Sequence, residues 1–134
     1  MLSNKLKHKF SVMLVSGHLQ ELGCDYEVND SEDVYKSYDI KLLDDDKKIK
    51  VFSNFSKLNE ISLLENFEYE DGVLYMFVTP TDKNNMCYLS YGGLKELMDE
   101  FSKVKSSKKI GMKRKHVDVS KLGRVGLSKF VMVH

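Results

Sequence analysis

Tyr38-Asp39-Ile40-Lys41-Leu42-Leu43, the five polar residues 44–48, and Ile49-Lys50-Val51-Phe52-Ser53-Asn54-Phe55 decide the fold. Tyr38, Ile40 and Leu42 alternate with Asp39 and Lys41. Ile49, Val51, Ser53 and Phe55 alternate with Lys50, Phe52 and Asn54, so both arms have the period-two pattern of a strand. The Asp44-Asp45-Asp46-Lys47-Lys48 link has side chains that bond their own backbone in turns, and it is too short for anything but an antiparallel hairpin. The arms are predicted over about residues 34–43 and 48–55.

Working outward, residues 2–22 carry Leu2, Leu6, Phe10, Met13, Leu14 and Gly17 at helical spacing, widened by Val12, Val15 and Leu19. Gly23 supplies the residue that helix ends prefer. A short strand follows at 24–28, then a polar connection at 29–37. Beyond the hairpin, Leu58, Ile61, Leu63 or Leu64, and Phe67 are near helical spacing, with Ser56 or Asn59 as cap, and predict a short helix. Residues 73–79, VLYMFVT, form an almost continuous apolar run stopped by Pro80, the pattern of a central strand covered on both faces. A strand at 86–91, the Gly92-Gly93 turn and a helix with Leu94, Leu97, Met98, Phe101 and Val104 on one face come next. The layers expected are helix, sheet, helix: an α/β fold with a mixed central sheet flanked by helices.

The order helix, strand, Asp-bearing strand, strand, helix, strand resembles the PD-(D/E)XK nuclease superfamily, in particular its small intron-endonuclease and archaeal junction-resolvase branches. The resemblance rests on Gly23 closing the helix, on Tyr38-Asp39-Ile40 where the family has its metal-binding Asp, and on the second hairpin arm. It spans roughly residues 5–101 and implies a restriction-endonuclease-like sheet. That arm should carry Glu or Gln, any residue, then Lys. Counting across the hairpin from Asp39 puts Phe52 and Asn54 at those positions. Metal-dependent phosphodiester cleavage needs oxygen ligands for a hard cation and a cationic group near the phosphate. Phe52 supplies no ligand and Asn54 no charge, so the expectation is a degenerate site without cleavage. Asp39, Asn54 and Lys57 remain as relic candidates and Asp39 as a weak metal ligand, although a cross-strand pair of Asp39 with Lys41 or Lys50 is preferred. Lys57 also reads as an ordinary surface lysine. No cofactor is expected, and Mg²⁺ only if an active endonuclease with a rearranged site is the right alternative. His8 and His18 lie ten positions apart on one helix, too far to share an ion, and read as structural or exposed. Glu21 reads as a surface residue.

At 134 residues the chain fits one domain, with a nuclease-like core at 1–104 and a basic extension at 105–134 that packs on or extends it. The seven Phe and seven Tyr fit a globular protein, and no apolar run approaches a membrane span. The absence of a signal-peptide pattern and two cysteines read as free thiols, Cys24 and Cys87, point to the cytoplasm or nucleoid. The net charge of +1 conceals an asymmetry. Acids dominate residues 21–46, while Lys105, Lys108, Lys109, Lys113, Arg114, Lys115, Lys121 and Arg124 mark the extension. Through residue 115 the extension loses hydrophobic pattern and reads as a flexible basic segment; 116–119 alternates like a strand, 121–127 could wrap back, and 129–134 resembles a terminal edge strand. Clustered lysines are what phosphate backbones select, although a solvated tail is the plain alternative. The expected function is a non-catalytic, nuclease-like module binding DNA or RNA, either alone or as a homodimer. The alternative is a small inhibitor or adaptor, of viral or mobile-element type, presenting the acidic band 21–46 to a nucleic-acid-handling protein.

Overall fold

In the computed structural model of the chain, the described residues are 3–33, 36–57, 59–65, 67–81, 86–104, 107–109 and 112–129, the backbone alone for 107–109, 112 and 124–129. Helix α1 runs Asn4–Glu21, capped where the Ser3 hydroxyl accepts from the Leu6 N–H. Gly23, at φ +76°, closes it: the Gly23 and Cys24 amides donate to the Gln20 and Leu19 carbonyls in a left-handed turn that a Cβ would strain.

Strands β1 (Tyr26–Val28), β2 (Ile40–Leu42), β3 (Lys48–Ser53), β5 (Val73–Pro80), β6 (Met86–Gly92) and β9 (Gly123–Lys129) form a mixed sheet in the order β1-β2-β3-β5-β6-β9. The hairpin is present, with Ile40 opposite Ile49 and Lys41 opposite Lys48, but its first arm is shorter than its alternation predicts. Strand β5 is central, parallel to β3 and antiparallel to β6, and both its faces are covered. Met76 and Val78 pack with Val12, Val15 and Leu19 of α1 and with Ile40, Ile49 and Val51. On the other face, Val73, Tyr75 and Phe77 meet a second layer that contains Ile61, Leu63, Leu97 and Val117. Each such side chain contributes roughly 1.5–3 kcal/mol by leaving water.

That second layer departs from expectation. Residues 60–64 are not helical but form β4 (Glu60–Leu64), which joins β8 (Met112–Asp118) and β7 (Ser107–Lys109) in a small antiparallel sheet beside α2 (Leu94–Ser102). Short apolar runs fit both periods, and here Ile61 and Leu63 alternate into the core. Asn59 at φ +58° and the Asn54 amide donating to the Glu60 carbonyl set a turn that a helix start could not accommodate. The basic stretch around Lys113–Lys115 is likewise strand, not a flexible segment. Its lysines hid the pattern, because a lysine stem can lie on an apolar surface while its ammonium reaches out. The chain then returns through a 3-10 turn at Val119–Lys121 to pair β9 with β6, so the C-terminal residues extend both sheets. The edge strand expected at 129–134 lies outside the described residues beyond Lys129.

The buried face of α1 is also narrower than its apolar pattern. Ser11 and Ser16 are buried by donating to the Lys7 and Val12 carbonyls, whereas Leu6 and Met13 are exposed. Cys24 and Cys87 are free thiols, and burial pushes the Cys87 thiol up to about 11. Among the described residues no helix is long and apolar enough to cross a membrane.

Candidate functional site

Strand β2 leaves β3 just before Ile40, and there Asp39 turns its carboxylate to the end of the β3 edge. It is fully buried, not a surface strand residue. Its Oδ2 accepts from the Val51 N–H at 2.7 Å and lies 3.5 Å from Nζ of Lys50; its Oδ1 is 2.7 Å from Nε2 of His8 and 3.6 Å from Nζ of Lys36. Burial pushes the Asp39 carboxyl upward, but the His8 hydrogen bond and the Lys50 charge outweigh it and hold the group below the usual carboxylate range. An ionised carboxylate only accepts, so Nε2 of His8 carries the proton and Nδ1 is the ring nitrogen left to other partners. Lys50, only 1 % exposed, is pulled below the usual lysine range by burial, against the pull of Asp39.

One carboxylate therefore sits among two lysines and a histidine. Donors already crowd both of its oxygens, so a cation bound there would have to displace His8 or Lys50. Among the described residues no three His, Cys, Asp or Glu side chains are grouped as a metal site.

Above this cluster opens a cleft of about 470 Å³ between the first turns of α1, the end of β3 beyond its pairing with β2, and strand β4. Its basic lining comes from three elements: Lys7 and His8 of α1, Lys50 of β3 and Arg114 of β8. Among the described residues no carboxylate lines it. Phe52, Phe55 and Phe67 supply its apolar wall. Phe52 lies nearly parallel to Phe77 at 5.8 Å, and Phe67 meets it edge-on at 5.7 Å, with Nζ of Lys50 5.7 Å from both ring centres. Ser53, Ser56 and Ser62 add hydroxyls, and the Arg114 guanidinium donates to Ser62 Oγ at 3.4 Å.

The sequence candidates divide accordingly. Asp39 is at the centre, and the register of the hairpin sets Lys50, not Phe52 or Asn54, beside it. Asn54 is a turn former whose Oδ1 accepts from the Ser56 N–H and hydroxyl. Lys57 is an exposed lysine paired with Glu60 at 3.3 Å, away from the cluster. Of the basic extension, Arg114 enters the cleft and Lys113 and Lys121 are exposed. Lys115 turns inward instead: its Nζ donates to the Phe101 carbonyl at 3.0 Å and lies 4.4 Å from the Phe101 ring centre. Lys108 and Lys109 are on β7 and Arg124 on β9, with side chains outside the described residues, as is Lys105 altogether. Glu21 is exposed, and most of the acidic band with it. Of the two cross-strand partners expected for Asp39, Lys50 is the one beside it, whereas His8, read as structural or exposed, is part of the site. The signal for His8 was its place on the one helix that packs over the hairpin. The pair with Lys50 was legible because that lysine lies directly across the hairpin from Asp39.

No protein-family model, curated protein or solved structure matches the chain.

Proposed function

We propose that the chain is a nucleic-acid-binding domain on a nuclease-like α/β frame, with the basic cleft as its contact surface. The observation that carries this is the convergence of Lys7, His8, Lys50 and Arg114, from three separate elements, on a cavity without a carboxylate in its described lining. Asp39 offsets Lys50, but Lys7 and Arg114 add charge at the cleft, and low-dielectric walls concentrate such charge toward phosphates. The nuclease-like part of the reading is supported by the order helix, antiparallel strands, parallel β5, and by a buried Asp–Lys pair at the mouth of the hairpin. The same site argues for binding without metal-dependent cleavage, because Asp39 is committed to protein donors. Free thiols fit a cytoplasmic setting.

Affinity for a single-stranded oligonucleotide as a function of salt tests this. Lys7 and Arg114, the two cleft cations that Asp39 does not pair, at about 0.7 log units per contact set an expected slope of roughly 1.4 log units per decade of salt. Arg114→Gln should lower it by about one contact. No binding at low salt, or a slope that Arg114→Gln leaves untouched, would overturn the reading in favour of the exposed acids of residues 25–33 and 44–46 as a surface for a basic protein partner.

A further inference from the structure

We infer that the cleft seats one unpaired nucleotide, its phosphate among Lys7, His8, Lys50 and Arg114 and its base against the Phe67–Phe52 wall. The inference rests on the nucleic-acid reading and specifies the substrate class.

Three observations lead to it. The site is concave: about 470 Å³ lies within the range of small-molecule pockets, roughly 300–1,000 Å³. A duplex offers its phosphates on a convex surface and keeps its bases stacked inside, so it can touch the rim but cannot fill such a cavity. A nucleotide at a strand end, or splayed out of a single strand, can. Second, the charge is built in and not merely superficial. Lys50 is 1 % exposed and held by Asp39, which also fixes His8, so both side chains at the base of the cleft are positioned before a ligand arrives. Third, the cations share the cleft with aromatic rings. A site for inorganic phosphate needs only the cations, whereas bases stack on aromatic faces, with roughly 1–3 kcal/mol lost per base on removal of the ring. The serine hydroxyls of Ser53, Ser56 and Ser62 provide polar contacts for a sugar.

The test measures fluorescence-anisotropy binding of a short labelled single strand and of a hairpin duplex of equal charge, each competed with AMP, UMP and inorganic phosphate. The single strand should bind at least about tenfold more tightly than the duplex. Mononucleotides should displace it at concentrations at which phosphate does not. Arg114→Gln and Phe67→Ala should each weaken single-strand binding by about tenfold. Arg114→Gln is used because Lys50→Met alone strips Asp39 of a buried partner and risks the fold.

Equal binding of duplex and single strand, with no displacement by mononucleotides, would overturn the unpaired-nucleotide site while leaving surface binding to nucleic acid standing. Competition by phosphate as effective as by AMP, with Phe67→Ala silent, would reduce the cleft to an anion site and also overturn it. No binding of any oligonucleotide would instead remove the parent reading.

Discussion

Replacing Asp39 by alanine should be the most damaging single substitution near the cleft. The change takes the acceptor from the Val51 N–H, the partner from His8, and the counter-charge from a lysine that is 1 % exposed. Breaking a buried ion pair by removing one member costs about 3–5 kcal/mol, because the remaining charge is stranded away from water. For a chain of this length each kcal/mol corresponds to roughly 3–4 °C, so Tm should fall by about 10–20 °C. Urea denaturation followed by circular dichroism at neutral pH gives the free energy directly. Asp39→Asn with Lys50→Met should lose less than the two single variants summed, by about 1–3 kcal/mol, since the double variant leaves no stranded charge. A loss below about 1 kcal/mol for Asp39→Ala, or additivity within about 0.5 kcal/mol, would refute the view of Asp39 and Lys50 as one buried unit.

The acid limb of stability should depend on the same carboxylate. Its folded pKa is depressed, so its contribution is complete above the unfolded value of about 3.9 and is lost as pH falls through the lower folded value. A wild-type stability curve no steeper below pH 4 than that of Asp39→Asn would contradict this. Lys115→Ala should cost about 1–2 kcal/mol through its hydrogen bond and ring contact at Phe101, whereas Lys113→Ala, exposed, should stay within 0.5 kcal/mol in the same denaturation assay. Incubation of labelled duplex, single-stranded and branched DNA with Mg²⁺ or Mn²⁺ should yield no cleavage; products that vanish in Asp39→Ala would mean that Asp39 holds a metal after all.

Much of the frame could be read from periodicity. Val73–Pro80 is apolar on both faces because it is central, and the Asp39 hairpin alternates because α1 covers one of its faces. The closing role of Gly23 was visible because the αL turn favours that residue type. Where the period was ambiguous, tertiary partners decided. Residues 60–64 are a strand because β8 offers them a hydrogen-bonding edge, and β8 itself was concealed by its basic residues, among which Lys115 turns inward. The site was legible at Asp39 and in its cross-strand pairing with Lys50. His8 is 31 residues away along the chain and looked like a lone helix histidine. The burial of the Asp39–Lys50 pair depends on where β2 leaves β3, which alternation does not encode.

Backbone amide NMR spectra recorded while a short single-stranded oligonucleotide is titrated in locate the contact without any substitution. Shifts concentrated at Lys7, His8, residues 50–56, Ser62 and Arg114, saturating together, are the expected result. Shifts confined to β1 and the Asp44–Asp46 turn, or none at low salt, would contradict the assignment of the cleft.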